Sequence, residues 1–344
     1  MLKENLLRVL RNLRNDKGLY LASTGEWYQK IWVRDNFYES MPELYLNRDN
    51  YKETYQSLLD YYINIENKYR KFTWLIDQPE PKYGFRFPHP RMTPDLDEIR
   101  EEWGFKQLDC FGEFLYGLWL GEREGIKIIR GNEDIHIINL MIRMLEAIEY
   151  WNCKDNAIWE ENEEVHASSV GACLAGLTAI RLLGFDVNQK LLDEAHYALN
   201  KLLPRESETK DVDLALLTLI YPFNIVSPQV AKQIITNVEA DLVRERGVIR
   251  YKNDQYYNQS GEAEWCFGFT FLALAYKTLG NMDKAKYYLK MAKERTVLNE
   301  CEVPELFMSK TSEANGNSPL GWSNAMLILA IEEIEENLSI HKIL

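Results

Sequence analysis

The sequence lacks the glycine and histidine patterns that mark many cofactor sites. Its 18 glycines form neither a GxGxxG motif nor a P-loop, so we expect no nucleotide cofactor. Its five histidines show no zincin or facial-triad spacing, so we expect no catalytic metal. No serine or cysteine stands in a recognisable arrangement with a histidine and an acid, which argues against a nucleophilic mechanism through either residue.

Cysteine is scarce, with five residues in a chain of 344. Their number is odd, they have no metal-ligand spacing, and most of them lie inside apolar segments. This pattern predicts buried free thiols in a reducing compartment rather than a disulfide framework.

Long apolar runs and positive charge are also scarce. No run approaches the roughly 20 apolar residues of a membrane span, and the N-terminus has an amphipathic helix pattern instead of a signal peptide. The formal net charge of −13 argues against nucleic acid and against an anionic membrane surface as partners. We therefore expect a cytoplasmic protein that binds neither; its oligomeric state is left open.

Aromatic residues, by contrast, are abundant, with nine Trp and 20 Tyr. Several stand beside acids and arginines in segments that have no helical periodicity. A flat apolar ring is suited to the face of a sugar, and an acid held against an aromatic surface has a raised pKa and can donate a proton. These clusters predict a carbohydrate-binding cleft, although core packing explains some of the rings, Trp322 among them.

Hydrophobic periodicity predicts helices almost throughout and few strands. The predicted helices cover residues 2–14, 36–46, 50–70, 107–121, 133–150, 165–183, 187–202, 211–221, 227–242, 262–279, 284–296 and 322–338. Short links between them alternate with long ones, over residues 71–106, 150–164, 243–261 and 297–321, and the long links carry most of the Trp/acid clusters.

Twelve helices with alternating short and long links predict an all-α fold, the (α/α)6 toroid of six helical hairpins. We expect one domain over residues 1–344, in which the long loops meet at one end and build a cleft. An irregular helical-repeat solenoid that binds protein is the structural alternative, but the sequence shows no self-similar period.

Two carboxyl groups in these loops have the properties that glycoside hydrolysis requires. Inverting cleavage needs one carboxyl to protonate the leaving oxygen and another, about 6.5–9.5 Å away, to activate water. Glu160 is the candidate acid because it adjoins Trp159, and Glu305 is the candidate base. Glu313, which is nearer to Trp322, is the competing base.

Five ordered motifs over roughly residues 27–335 resemble glycoside hydrolase family 15, the glucoamylase family, which includes glucodextranases and trehalases. The helical domain of the phosphorylase kinase α subunit is a more distant look-alike. The motifs are Trp32-Val33-Arg34-Asp35, Trp103-Gly104 followed by Gln107 and Asp109, Trp159-Glu160-Glu161, Arg250-Tyr251, and Glu305 placed seventeen residues before Trp322.

The resemblance implies a role for each motif. It makes Glu160 the general acid and Glu305 the general base. It makes the following residues substrate-binding: Trp32, Arg34, Asp35, Trp103, Gln107, Asp109, Trp159, Glu161, Arg250 and Tyr251. A plain salt bridge between Arg34 and Asp35 at a helix start is the alternative for that pair.

Taken together, the residues and the resemblance imply an inverting glycosidase that releases glucose from the non-reducing ends of α-glucans or short α-gluco-oligosaccharides. The chain departs from many family members in Leu306, where Gln is common, and in Ala167, where Gly is common. These departures bear on the substrate more than on the reaction. The alternatives are a non-catalytic carbohydrate-binding or regulatory module, and the same fold acting on trehalose or α-1,6-linked glucosides.

Overall fold

The computed structural model describes residues 1–78, 87–99, 101 and 103–336. Within these residues the α-helices are α1 Leu2–Asn12, α2 Val33–Ser40, α3 Glu43–Leu46, α4 Arg48–Tyr69, α5 Lys71–Asp77, α6 Asp109–Arg123, α7 Asn132–Ala147, α8 Ala167–Leu182, α9 Gln189–Leu202, α10 Pro228–Asp241, α11 Phe267–Thr278, α12 Met282–Arg295 and α13 Gly321–Ile334. Short 3-10 helices span Glu26–Tyr28, Leu214–Leu219 and Asn299–Cys301. The strands are β1 Ile31–Trp32, β2 Arg91–Met92, β3 Glu264–Trp265 and β4 Leu306–Phe307.

Six helical segments form a closed inner ring. In order around the ring they are α2, α6, α8, the 3-10 helix Leu214–Leu219, α11 and α13, and α13 packs back against α2. Outside this ring lie α1, α4, α7, α9, α10 and α12. The arrangement is the predicted all-α (α/α)6 toroid.

Burial explains which helices lie inside. In the inner helices α6, α8, α11 and α13, almost every residue is buried, whereas the outer helix α1 buries one face through Leu6, Val9 and Leu10. Glycine sets the spacing between α6 and α8: a Cβ on Gly112 would lie 2.2 Å from the Ala172 backbone carbon. The two helices therefore touch through their backbones, which brings the loops that precede them close together.

Several predicted boundaries were wrong. The predicted helix 36–46 begins at Val33 and breaks before Pro42, whose ring disfavours a continuing helix. The predicted helix 211–221 is shorter, a 3-10 helix over Leu214–Leu219. Helix 262–279 loses its first turn because Glu264–Trp265 pairs with β4. Helix α5, inside the predicted link 71–106, was missed. Residues 337–338 of the last predicted helix, like residues 79–86, 100 and 102 of that link, lie outside the described residues.

All five cysteines are free, and four of them are buried, as predicted, while Cys301 is partly exposed. Among the described residues, no helix has both the length and the apolar character needed to cross a bilayer.

The segments that enter the inner ring are joined in pairs. Strand β1, just before α2, pairs antiparallel with β2, and strand β3, just before α11, pairs antiparallel with β4. The second pair sets Trp265 opposite Leu306, the residue after Glu305. The short strands thus fix the long loops relative to one another at the N-terminal ends of the inner helices.

Candidate active site

A cavity of about 340 Å³ lies among the segments that lead into the inner helices. This volume falls in the range of about 300–1,000 Å³ that is usual for small-molecule sites. The lining residues are Tyr28, Trp32, Arg34, Asp35, Trp103, Ile158, Trp159, Glu160, Glu161, Arg250, Gln255, Tyr256, Trp265, Glu305, Leu320 and Trp322.

Most of the residues singled out from the sequence therefore meet in one place, including both candidate catalytic carboxyls. Three of the expected substrate contacts differ: Gln107, Asp109 and Tyr251 are absent from the cavity lining. Each of them hydrogen-bonds to a residue that does line the cavity, and their direct contact with substrate stays a prediction.

The carboxyl of Glu160 is held by two donors on one oxygen. Its Oε1 accepts hydrogen bonds from Trp32 Nε1 at 2.9 Å and from Arg34 Nη2 at 3.0 Å. Burial raises the pKa of Glu160, while the guanidinium groups of Arg34 and Arg91 oppose the rise. Burial is the larger effect, so the pKa of this carboxyl is displaced towards the protonated form that a proton donor needs.

Arg34 binds three side chains of the site, those of Gln107, Asp109 and Glu160. Its Nη1 donates to Asp109 Oδ2 at 2.8 Å and to Gln107 Oε1 at 2.9 Å. The motif that begins at Trp103 therefore fixes the position of the Arg34 guanidinium. The ion pairs of Arg34 are with Asp109 and Glu160, not with Asp35. Asp35 faces the cavity, and burial raises its pKa to about 7 against the influence of Arg34.

The backbone of Glu160 is in the left-handed region, with φ of 61°. That conformation is uncommon for a residue with a side chain and persists where neighbours enforce it. The neighbour here is Gly104, whose added Cβ would lie 2.2 Å from the Glu160 carbonyl oxygen. Close approach of the two backbones therefore positions the candidate acid.

We predict that Gly104→Ala lowers activity by displacing Glu160. The new methyl group has to push the backbone of Glu160 away, and a misplacement of about 1 Å at a catalytic group costs on the order of 10²-fold in rate. The measurement is kcat and KM of the variant, with thermal unfolding alongside. Gly125→Ala is the matched control, since a Cβ there meets nothing within 4 Å, although its φ of 78° makes some loss of stability expected. Equal kcat in wild type and Gly104→Ala would contradict this account of the backbone contact.

The adjacent carboxyl, Glu161, has the opposite environment. Arg250 Nη2 lies 2.8 Å from its Oε1, while Lys210 Nζ at 2.9 Å and Tyr251 OH at 2.6 Å bind its Oε2. Burial alone would raise the pKa of Glu161, but these cations and the hydroxyl lower it below its ordinary value. Two neighbouring glutamates are thus driven in opposite directions, which is how one site separates a proton donor from an ionised hydrogen-bond acceptor.

Glu305 also lines the cavity and is 2% exposed. Asn317 Nδ2 donates to its Oε2 at 2.8 Å, and Tyr28 OH donates to its Oε1 at 3.1 Å. Burial raises the pKa of Glu305, and these donors oppose the rise. The competing candidate Glu313 is exposed and does not line the cavity.

Aromatic rings form the rest of the cavity wall. Trp159 packs against Trp265 with ring centroids 5.4 Å apart, and Trp322 stacks on Phe267 at 4.4 Å. Trp159 is fixed in addition by a 2.8 Å hydrogen bond from its Nε1 to Asp213. Trp322 therefore both packs in the core, as expected, and lines the cavity.

The mouth of the cavity has its own aromatic pair. Trp103, which is 38% exposed, meets Trp32 edge-on with centroids 6.2 Å apart. The guanidinium of Arg91 lies 3.4 Å from the centroid of the Trp103 ring, a cation–π contact. This contact orients an otherwise exposed ring.

A cluster of buried polar side chains holds the two ends of the loop that carries Glu160. Asp155 Oδ2 accepts from the Leu108 backbone at 3.0 Å and from Ser169 at 2.8 Å, and His166 Nδ1 lies 3.5 Å from Glu206. Burial alone would lower the pKa of His166, but Glu206 and Asp155 raise it from 6.5 to about 9.

We predict that His166 stabilises the fold most at acidic and neutral pH. A histidine pKa raised by folding adds stability that is fully present below the unfolded value of 6.5 and is lost as pH rises through about 9. The measurement is urea unfolding of wild type and His166→Gln across this range. We expect the difference in unfolding free energy to shrink with rising pH; a constant or growing difference would contradict the ion pair.

Several cavity residues were not found from the sequence: Tyr28, Ile158, Gln255, Tyr256, Trp265 and Leu320. Two of them carried a usable signal. Trp265 follows Glu264 in the same Trp/acid pattern that marked the other motifs, and Tyr28 stands four residues before Trp32. The others contain no pattern that separates them from ordinary loop residues.

One group of the described residues has metal-ligand chemistry. One ligand atom each from the buried residues Asp109, Cys110 and Glu113 lies within 4.8 Å of the others. Asp109 already binds Arg34 at 2.8 Å, so a metal ion there would face a guanidinium. The donor set therefore suits a metal poorly, and the absence of a catalytic metal stays a prediction.

The comparison with known sequences gives one family. A model described as "Glycosyl hydrolases family 15" matches residues 4–205, more than half of the chain. A "Probable phosphorylase b kinase regulatory subunit alpha" from Caenorhabditis elegans is 25% identical over 248 residues, which cover 60% of this chain and 20% of that protein. An uncharacterized glycosyl hydrolase from Methanocaldococcus jannaschii is 27% identical over 221 residues, which cover 55% of this chain and 35% of that protein. The chain thus matches only about a fifth to a third of the length of these relatives.

Solved structures share the fold over the whole chain. A glycosidase variant in complex with glucose has a TM-score of 0.83 at 20% sequence identity, with 97% of this chain and 96% of that chain covered. Likeness at this level of identity establishes the fold alone.

Proposed function

The chain belongs to glycosyl hydrolases family 15, and from that membership we propose that it is an inverting, exo-acting glucosidase. The proposed reaction releases glucose from the non-reducing ends of α-glucans or short α-gluco-oligosaccharides. The observation that carries the proposal is that Glu160 and Glu305 line the same cavity.

The two carboxyls divide the reaction between them. Glu160 gives its proton to the glycosidic oxygen as the bond from that oxygen to the anomeric carbon breaks. Glu305 takes a proton from a water molecule, whose oxygen forms the new bond to the anomeric carbon from the opposite face. An α-glucoside therefore yields β-glucose, and the proton taken up by Glu305 replaces the one that Glu160 lost once both exchange with solvent.

The remaining lining residues bind the terminal sugar. Arg34, Asp35, Glu161 and Arg250 present charged groups to the cavity, which suits hydrogen bonds to sugar hydroxyls. The indoles of Trp103 and Trp159 supply flat walls for the faces of the rings. Gln107, Asp109 and Tyr251 act through the residues that they hold.

A non-catalytic regulatory module is the second candidate, because the chain resembles part of phosphorylase kinase regulatory subunits. Such a module has no need of a buried acid and a separate buried base. Both carboxyls are present here and line the same cavity, and this supports the hydrolase.

The test is glucose release from a panel of maltose, maltotriose, isomaltose, trehalose, soluble starch and dextran. We expect one of these substrates to be cleaved well by the wild type and not by Glu305→Gln. Preference for trehalose or isomaltose would keep the reaction and change the linkage. Oligosaccharide binding without release from any substrate would contradict the hydrolase and favour the regulatory module.

A further inference from the structure

Glu305 is held by neutral hydrogen-bond donors. Its Oε2 accepts from Asn317 Nδ2 at 2.8 Å and also from Asn315 Nδ2. The hydroxyls of Tyr28 and Tyr256 lie 3.1 and 3.4 Å from its Oε1. The carboxyl group of Glu305 is shielded from solvent in all these contacts, since the residue is only 2% exposed.

The other two glutamates of the cavity are held differently. Glu160 pairs with Arg34 at 3.0 Å, and Glu161 pairs with Arg250 at 2.8 Å. Within the described part of the chain, Glu305 has no ion-pair partner, and the charge of Arg250 acts on it only from a distance. A buried carboxylate without a cation has to be stabilised by its hydrogen bonds.

Two of those hydrogen bonds come from one short segment, Asn315-Gly316-Asn317. The Glu305 backbone N–H donates to the Asn317 carbonyl at 3.0 Å, and the Asn315 N–H donates to the Leu306 carbonyl at 3.1 Å. Backbone pairing therefore sets the two amide side chains against one carboxylate oxygen. Gly316, between them, has open space where a Cβ would be.

We propose that Asn315 and Asn317 are positioning residues that clamp Glu305 in its ionised form and thereby set the lower pH limit of the reaction. This inference rests on the proposed function, in which Glu305 is the base. An amide NH2 group can only donate, so an oxygen that faces two of them has no acceptor for a proton of its own. Hydrogen bonds to the charged form of an acid favour that form.

Other groups near Glu305 bear on the same equilibrium. Those that are titratable or charged are Tyr28, Tyr256, Arg250, Cys266, Asp35 and, in the same cavity, Glu160. Burial raises the pKa values of both tyrosines and of Cys266 well above the neutral range, so none of the three changes charge there. Asp35 and Glu160 gain negative charge as they ionise, and this charge disfavours the ionised form of Glu305. The hydrogen-bond donors to Glu305 therefore matter more for keeping it ionised.

The test is the pH profile of kcat/KM for wild type, Asn317→Leu and Asn317→Asp. Asn317→Leu removes one amide donor and should move the acid limb to higher pH by about one unit. At a pH well below the limb, kcat/KM of the variant should then be about tenfold lower than that of the wild type. Asn317→Asp keeps the size and adds a like charge, so its limb should move further. The alkaline limb, set by Glu160, should stay in place in Asn317→Leu, which adds no charge.

Ser318→Ala is the matched control from the same segment, because its hydroxyl donates to Glu302, outside the cavity. Its acid limb should coincide with that of the wild type. Lower activity in the Asn317 variants with an unmoved acid limb would mean that the segment is merely structural, and would overturn the clamp.

A direct titration separates failure of the clamp from failure of the proposed function. The carboxyl carbon of Glu305 is followed by carbon-13 NMR in glutamate-labelled protein and assigned by its loss in Glu305→Gln. A titration that moves to higher pH in Asn317→Leu, which removes the amide without adding a charge, supports the clamp even if the wild type hydrolyses no sugar. An unchanged titration refutes the clamp even if the protein is an active glucosidase.

Discussion

Replacing Glu305 by Gln is expected to lower kcat on the preferred glucoside by about 10²–10⁴-fold. The amide cannot take a proton from water, while its shape preserves the wall of the cavity. The four donors around the carboxyl remain, so substrate binding should change little and KM should stay within a few fold. Initial rates with wild type and variant at saturating substrate measure this directly.

Glu313→Gln is the control for that experiment. Glu313 is the competing base by sequence, but its side chain is exposed and does not line the cavity. We expect wild-type kcat and KM from this variant. A large loss in Glu313→Gln together with an active Glu305→Gln would reverse the assignment of the base.

Replacing Glu160 by Gln is expected to be equally severe with a sugar leaving group, at about 10²–10⁴-fold in kcat. A sugar alkoxide leaves poorly without a proton, whereas para-nitrophenolate needs little protonation. The loss with para-nitrophenyl α-glucoside should therefore be much smaller, below about tenfold. The ratio of the two losses is the measurement, because it reports proton donation rather than general damage.

Glu163→Gln supplies the comparison from the same loop. Glu163 pairs with Lys106 at 3.0 Å and lies outside the cavity. It should keep wild-type rates on both substrates. Equal losses on the sugar and nitrophenyl substrates in Glu160→Gln would show that this residue is not the proton donor.

The pKa values alone would not assign the two roles. Burial raises the pKa of both Glu160 and Glu305, although a base has to be ionised when the substrate binds. The distinction lies in what each carboxyl contacts: Glu160 meets Trp32 and Arg34, whereas Glu305 meets amide and hydroxyl groups such as those of Asn317 and Tyr28. The acid and base assignment is therefore a proposal that rests on position.

The ring of helices could be predicted because each helix is marked by a hydrophobic period within its own segment of the sequence. Amphipathic and fully apolar periods distinguish outer from inner helices, and long links between them are visible as segments without periodicity. Periodicity also predicted a helix over 211–221, but it did not show that this helix is the 3-10 helix Leu214–Leu219 or that it packs against α8 and α11. Helix α5, seven residues long, is too short to stand out by period.

The site was predictable where residue types repeat in motifs and not where pairing between loops decides the contact. Nothing in the sequence says that Arg34 binds Asp109, 75 residues away, or that Asn315 and Asn317 bind Glu305. Those contacts exist because the toroid closes and because β3 pairs with β4. Gln107, Asp109 and Tyr251 were recognised because a motif marks a neighbourhood, but a motif does not show which of its side chains faces the cavity.

The most direct test of an inverting hydrolase with Glu305 as its base is proton NMR of the first product. Wild type and Glu305→Gln are followed side by side on the substrate that the glucose-release panel identifies. The account predicts that β-glucose appears first with the wild type, before mutarotation, and that the variant produces almost none. α-Glucose as the first product, or undiminished release by Glu305→Gln, would contradict it.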